Sequence, residues 1–186
     1  MIDKLKKKLI NFFGNIRIFP GGFILFGDST IKLKGPDWRE ILDIIQPGDI
    51  VLNAHANYVS SWFIKGKFSH VGLYVGNDKI IHIRTAGIFE EDILTFLRAD
   101  NAAIVRPVNQ SMVKYAIEKA YEYLEKKVEY DYDFNKNDTL QFYCSEFTDF
   151  CYNYLLNNSV SANNKFIYPD DYLIPSEHFN IIWRKN

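Results

Sequence analysis

The hydrophobic and polar positions along the chain change period several times, and each change marks a predicted element. Apolar side chains at helical spacing, with lysines between them, predict a basic amphipathic helix over residues 2–16. Further on, short apolar runs bounded by glycine, proline or asparagine predict strands, and runs with a period near 3.6 predict helices. The predicted strands are 23–26, 30–33, 50–53, 71–75, 79–83 and 102–107. The other predicted helices are 37–45, 57–65, 111–127 and 143–157.

This mixture of helices and strands predicts an α+β fold. A Gly-Asn-Asp turn at 76–78 separates two strands so narrowly that they should pair antiparallel. The chain has 186 residues, 47% of them hydrophobic, which suffices for one substantial core. Because no repeat or linker interrupts it, we expect a single domain over 1–186 with its core at about 46–156.

The net charge and the composition of the N-terminal segment indicate which partners and which cellular compartment to expect for this protein. The net charge is −1, from 22 basic and 23 acidic residues, so no overall field favours a nucleic-acid partner. No apolar run reaches the ~18 residues of a membrane span, and the N-terminal lysines precede an interrupted apolar stretch that does not fit a secretory signal. We therefore expect a cytoplasmic protein. The basic helix at 2–16 either packs on the domain or makes peripheral contact with an anionic membrane.

The chain has two cysteines, Cys144 and Cys151, which share one predicted helix. Two helical turns separate their Cα atoms by roughly 10 Å, which is beyond the ~7 Å that a disulfide can bridge. Both should therefore be free thiols, as is typical of a reducing compartment. Cys151, two turns into the helix, is interpreted as a core residue.

Two short segments carry the candidate chemistry. Segment 69–72, Ser-His-Val-Gly, opens a predicted strand, and segment 143–146, Tyr-Cys-Ser-Glu, opens a predicted helix. A thiol is a nucleophile only as the thiolate, and a nearby imidazole is the usual means of generating one. Backbone N–H groups at the helix start should also lower the pKa of Cys144 and stabilise an oxyanion. The pair predicts a cysteine-dependent enzyme in which His70 is the base for Cys144.

A third polar group should orient His70 by bonding its other ring nitrogen, and His82 is the candidate. With a tight turn between the two strands, the register puts His82 near Gly72. A direct contact with His70 then requires strand twist or a small bulge. A strand histidine can also bond a backbone carbonyl without any catalytic role, and both interpretations stay open.

These pieces together resemble a known family. The matching segments are 47–50 (Pro-Gly-Asp-Ile), 69–72, the strand with His82, 130–134 (Tyr-Asp-Tyr-Asp-Phe) and 143–146. They resemble the circularly permuted papain-like amidohydrolases, the YiiX-like group of the NlpC-type cell-wall peptidase superfamily, which is related to the lecithin retinol acyltransferases. In ordinary papain-like enzymes the cysteine precedes the histidine, and the reversed order seen here is the mark of the permuted branch.

The resemblance implies a permuted papain-like fold, with an antiparallel β-sheet or partial barrel and packed helices. It implies Cys144 as nucleophile, His70 as base, a polar third residue on the next strand and Tyr143 lining the oxyanion site. Many YiiX-like members carry glutamate at the third position, whereas the acyltransferases carry histidine, as here with His82.

The implied activity is amide hydrolysis through a thioester acyl-enzyme, on cell-wall peptides or N-acyl amino-acid amides. Ester hydrolysis or acyl transfer on lipids is the alternative, and a non-catalytic module that binds a lipid or peptide is another. The substrate is thus expected to be a small-molecule, lipid or peptide amide.

Other enzyme classes lack their sequence signals. There is no His-Glu-x-x-His or Cys-x-x-Cys segment, so no metal site and no cofactor is predicted. A Gly-x-Ser-x-Gly elbow is also missing from the sequence, which argues against a serine hydrolase.

Overall fold

The computed structural model describes residues 16–18, 24–26, 31–55, 64–133, 140–156, 166–175 and 177–185. The strands are β1 (Ile16–Ile18), β2 (Ile24–Phe26), β3 (Ile50–Ala54), β4 (His70–Gly76), β5 (Lys79–Arg84), β6 (Gly87–Asp92), β7 (Asn101–Pro107), β8 (Glu129–Tyr130), β9 (Gln141–Phe142) and β10 (Phe179–Arg184). The α-helices are α1 (Gly35–Ile44), α2 (Ile93–Phe96), α3 (Val113–Lys126) and α4 (Cys144–Cys151), and single 3₁₀ turns occupy Gln110–Met112 and Pro169–Leu173. The predicted helices at 2–16 and 57–65 fall almost entirely outside the described residues.

An antiparallel sheet of six strands, in the order β10-β7-β3-β4-β5-β6, forms the centre of the molecule. The predicted hairpin is confirmed, because β4 pairs antiparallel with β5. Its turn places Asn77 at φ 52° and Asp78 at φ 58°, a conformation that asparagine and aspartate tolerate better than most residues. The α+β class is confirmed by this sheet and by the helices packed on it.

Both faces of the sheet are covered. One face packs against α3 and α4, and its buried residues include Val71 and Leu73 of β4 together with Phe147 of α4. The opposite face packs against α1 and α2, through residues such as Ile41 and Phe96. Because side chains alternate along a strand, His70 and Gly72 belong to this second face. Among the described helices, none combines the length and the apolar character needed to cross a membrane.

A buried ion pair holds the start of β3. Asp49 accepts two hydrogen bonds from Arg106 of β7, at 2.7 Å from both Nε and Nη2. The same carboxylate accepts the backbone N–H of Gln46, and Arg106 also donates to the carbonyl of Ile44. The Pro-Gly-Asp segment at 47–49 therefore joins α1, β3 and β7.

Several predicted elements differ from the structure. Residues 31–33, predicted as part of a strand, have no regular structure. Strand β6 was not predicted, because its sequence ends in three acidic residues and lacks a continuous apolar run. The helix predicted at 143–157 ends at Cys151, since Asn153 and Tyr154 adopt positive φ and Asp149 bonds the backbone N–H of Leu156 instead of the helix continuing.

Candidate active site

The two histidines nominated from the sequence are in contact. His70 begins β4, and His82 lies on the same face of β5, diagonally across from it. Nε2 of His70 is 2.8 Å from Nδ1 of His82, which is hydrogen-bond distance. Gly72 lies between them, and a Cβ on this residue would come within 3.0 Å of the Cβ of His82. Strand twist and the missing side chain at Gly72 let the two imidazoles meet across the diagonal.

Aromatic rings enclose this pair. The ring centroid of Phe89 lies 4.4 Å from that of His82. The ring centroid of Phe96 lies 5.1 Å from that of His82 and 5.5 Å from that of His70. Burial lowers the pKa of His70 well below its usual value, and the electrostatic influence of the nearby His82, Arg84 and His55 lowers it further. The imidazole of His70 is therefore neutral near neutral pH and able to accept a proton.

A glutamate that the sequence analysis missed faces the far side of His82. Oε2 of Glu91, on β6, lies 3.3 Å from Nε2 of His82 and 3.3 Å from Nη2 of Arg84. Burial lowers the pKa of His82, while the polar contact and the negative charge of Glu91 oppose that shift. The sequence carries no signal for Glu91, because only the pairing of β6 with β5 puts Glu91 opposite Ile80 and on the face of His82.

Cys144 is the first residue of α4 and is buried. Burial raises the pKa of its thiol, and the Ser145 hydroxyl and the backbone N–H groups of Val71, Ser145 and Cys144 oppose this by stabilising the thiolate. The expectation of a lowered pKa is therefore wrong in direction, because desolvation outweighs the helix-start N–H groups. Sγ lies 3.8 Å from the hydroxyl oxygen of Ser145. The contact with Val71 puts the thiol beside the residue that follows His70.

Tyr143 precedes the thiol and is buried. Its hydroxyl accepts the backbone N–H of Ile167 at 3.1 Å, and its own N–H donates to the Glu146 carboxylate at 3.4 Å. Glu146 thus closes the first turn of α4, as a carboxylate at a helix start commonly does. The Tyr143 side chain ties the start of α4 to a segment more than twenty residues further along the chain.

That later segment, 166–173, supports both halves of the site. The hydroxyl of Tyr172 donates to the carbonyl of Ser145 at 3.1 Å, on the side of the thiol. The carboxylate of Asp170 accepts the N–H groups of Lys67 and Phe68, at 2.9 and 2.7 Å, immediately before β4. One short segment therefore holds the approach to His70 and the first turn of the helix that carries Cys144.

The structure thus brings His70 and His82 together and places Cys144 against the backbone next to His70. In the described part of the chain, the thiol and the His70 imidazole do not form a hydrogen bond with each other. Cys151 is a buried free thiol inside the core, as expected. The described residues contain no group of three histidine, cysteine, aspartate or glutamate side chains arranged to hold a metal ion.

Comparison with known proteins agrees with this architecture. The sequence matches the model of a family described as "Permuted papain-like amidase enzyme, YaeF/YiiX, C92 family" over residues 44–175. A solved structure described as metalloprotein yiiX from Escherichia coli O157:H7 is similar over 75% of this chain and 97% of that chain, with a TM-score of 0.53 and 14% identity, and shows the same fold. Among curated proteins, none matches the sequence significantly. Since the family match spans most of the chain, this protein belongs to the C92 family of permuted papain-like amidases, which are papain-like cysteine enzymes.

Proposed function

We propose that Cys144 is the nucleophile of this amidase, that His70 is its general base and that His82 orients His70. The observation that carries the proposal is the 2.8 Å contact between Nε2 of His70 and Nδ1 of His82. It occupies one nitrogen of His70 and leaves Nδ1 as the nitrogen able to take a proton from the thiol. The thiol in turn lies beside Val71, the next residue of the same strand.

The proposed reaction runs through a thioester. Sγ of Cys144 attacks the substrate carbonyl carbon while its proton passes to Nδ1 of His70. The C–N bond then breaks, and His70 returns the proton to the leaving amine. Water next attacks the thioester, His70 takes the proton of that water, and the C–S bond breaks to release the carboxylic acid. His70 finally reprotonates the sulfur, so that the enzyme returns to its starting state.

Both reacting groups start in their neutral forms. Burial raises the pKa of the Cys144 thiol and lowers that of the His70 imidazole, so the resting pair favours thiol and imidazole over an ion pair. The proton therefore moves during the attack, as in general-base catalysis. The side chains of Cys144 and His70 belong to opposite faces of the sheet, so the proposed transfer passes around the first residue of β4, where the sulfur meets the backbone N–H of Val71. Hydrogen bonds between a nucleophile and its base are often long before the substrate binds.

We propose that the oxyanion is stabilised at the start of α4, where backbone N–H groups already meet the sulfur. Tyr143 would line this site through its position directly before Cys144. Its hydroxyl is engaged with the N–H of Ile167, so its contribution would come from holding the backbone in place.

The proposed substrates are amides of cell-wall peptides or N-acyl amino acids, in keeping with the amidase family. The histidine at position 82, which the acyltransferase relatives share, makes lipid esters the competing substrate class. A panel that contains peptide amides, N-acyl amino-acid amides and lipid esters, followed by intact-protein mass spectrometry, separates these classes. Turnover of the lipid esters alone would overturn the amide assignment and favour acyl transfer.

Alkylation by iodoacetamide tests the catalytic pair without knowledge of the substrate. Near neutral pH, Cys144 of the wild type should react about tenfold or more faster than in His70→Ala, because the neutral imidazole accepts the thiol proton. At strongly alkaline pH the two rates should converge, since hydroxide forms the thiolate without help. Peptide mapping should place the label on Cys144 and lose it in Cys144→Ala.

The second cysteine supplies the matched control. Cys151→Ser replaces a thiol in the core of the same helix and should leave the labelling rate of Cys144 unchanged. Equal rates in the wild type and His70→Ala across the whole pH range would show that His70 is not the base. Amide turnover that survives in Cys144→Ala would show that Cys144 is not the nucleophile.

A further inference from the structure

Three side chains on neighbouring strands form a continuous line of polar contacts. His70 on β4 contacts His82 on β5 at 2.8 Å, and His82 contacts Glu91 on β6 at 3.3 Å. Each step crosses one strand boundary diagonally, because Gly72 lies opposite His82 and Glu91 lies opposite Ile80. The line ends at the carboxylate, which Arg84 also contacts.

The chemistry of these groups fixes the direction of every hydrogen in the line. An ionised carboxylate can only accept, so the nitrogen of His82 that faces Glu91 must carry the hydrogen. A neutral imidazole has one N–H and one lone pair, so Nδ1 of His82 is then an acceptor. Nε2 of His70 must consequently donate to it, and Nδ1 of His70 is left with a lone pair. That lone pair is what a general base for Cys144 needs.

We propose that Glu91 is a positioning residue of this amidase, which sets the tautomer of His82 and, through it, the tautomer of His70. The inference rests on the proposed role of His70 as the base for Cys144. Glu91 does not touch the reacting atoms and acts only through the two imidazoles.

Among the described residues, the Glu91 carboxylate is the group that faces Nε2 of His82. His82 is fully buried, and its Nε2 makes no hydrogen bond there that meets full geometric criteria, so the carboxylate of Glu91, at 3.3 Å, is its one polar neighbour among these residues. Phe89 and Phe96 pack against the ring of His82 and keep it from turning. A buried N–H without an acceptor is costly, so the tautomer with hydrogen on Nε2 is strongly favoured while Glu91 is ionised.

Charged neighbours keep Glu91 in the ionised form. Partial burial raises the pKa of Glu91, but the contact with His82 and the charge of Arg84 outweigh this effect and lower the pKa overall. The titratable and charged groups that face the imidazole pair are Glu91, Arg84 and His55. The acceptor is therefore a carboxylate throughout the neutral range.

The test is heteronuclear NMR of the histidine ring nitrogens in the Cys144→Ala variant. This variant has no thiol at position 144 that could oxidise during the measurement. In this background both His70 and His82 should carry hydrogen on Nε2. Glu91→Leu removes the acceptor and leaves Arg84, which can only donate, as the charged neighbour of His82, so a lone pair on Nε2 of His82 is favoured and the whole line reverses. We expect Nδ1–H signals to appear on both rings of Glu91→Leu.

The kinetic readout uses protein that retains Cys144. In Glu91→Leu, iodoacetamide labelling of Cys144 near neutral pH should slow by about tenfold or more, because His70 then presents an N–H to the thiol. Glu90→Leu is the matched control. Glu90 is the neighbouring residue on β6, points to the other face and bonds the hydroxyl of Tyr121 at 3.0 Å.

Each outcome bears on the proposal. It is overturned if His70 carries hydrogen on Nδ1 while Glu91 is present, or if Glu91→Leu keeps both the tautomers and the labelling rate of the wild type. It is also overturned if Glu90→Leu has the same effect as Glu91→Leu. Failure of the proposed function is distinguishable, because His70→Ala would then leave the labelling rate unchanged as well.

Discussion

The contact between the two imidazoles depends on a residue that has no side chain. An ideal Cβ at Gly72 would lie 3.0 Å from the Cβ of His82 and 3.0 Å from two atoms of Ile80. The Cβ of His82 is attached to the backbone of β5, so it cannot give way as the end of a long side chain can. The requirement for glycine here comes from space, since Gly72 is not among the residues with positive φ.

We predict that Gly72→Ala lowers amide turnover by about ten- to a hundredfold by displacing the ring of His82. It should also reduce the free energy of unfolding by about 1–3 kcal/mol, because the added methyl group overpacks this face. Steady-state kinetics and thermal denaturation measure the two effects. Gly35→Ala is the control, since a Cβ there meets only the end of the Arg39 side chain at an ordinary 3.5 Å. Wild-type turnover in Gly72→Ala would contradict the argument.

At this scale the sequence alone predicts part of the site. Cys144 and His70 stand out by the elements they open, and strand register alone puts His82 near Gly72. The contact of His82 with His70 needed the twist and side-chain room that only the structure shows. Glu91 could not be found, because its strand has no apolar alternation that would set a register from sequence.

Among the elements, the short 3₁₀ turn Pro169–Leu173 matters for the site because its side chains bond the backbone on both sides of it. Its Asp170 carboxylate caps two backbone N–H groups just before β4. Gly66, at the start of this approach, has φ 118° and a position where a Cβ would collide with Asp170. Both features fix the path by which the chain enters the strand that begins with His70.

We predict that Asp170→Asn lowers the free energy of unfolding by about 2 kcal/mol, because an amide oxygen cannot replace both charge-assisted acceptors. For a chain of this size the melting temperature should fall by about 5 °C. Thermal denaturation measures the loss, and labelling of Cys144 by iodoacetamide near neutral pH should slow as His70 loses its position.

Asp171→Asn is the neighbouring control for Asp170→Asn. Asp171 accepts the N–H of Tyr168, within its own turn, at 2.8 Å. It should change the stability without changing the labelling rate. If both variants slow the labelling equally, Asp170 has no special influence on His70.

The elements were predicted best where the pattern is local. The β4–β5 hairpin has a turn that its composition determines, and α3 has a long helical stripe, so both were found within a few residues. The end of α4 was missed, because it is fixed by hydrogen bonds from Asp149 to residues beyond the helix. The turn at Pro169–Leu173 was also missed, since the contacts that involve it join segments a hundred residues apart in the sequence.

The folded protein buries two histidines, His70 and His82, in their uncharged form. The free energy of unfolding therefore depends on pH. Burial is the largest cause that lowers the pKa of both His70 and His82. The unfolded chain binds protons at these residues near pH 6.5, where the folded chain does not. Below that pH the unfolded state therefore carries more protons, and acid favours unfolding.

We predict that the protein is most stable above about pH 6.5 and loses stability as the pH falls from there through the lowered folded-state pKa values. Each histidine that stays neutral in the fold contributes up to about 1.4 kcal/mol per pH unit in this window. Glu91, whose pKa is lowered from 4.5, adds a loss of the same sign only at more acidic pH, so melting curves between about pH 7 and about pH 5 isolate the histidines. The slope should become shallower in His70→Asn. A melting temperature that is constant across this window would mean that the folded protein accepts a proton on the pair as readily as the unfolded chain does.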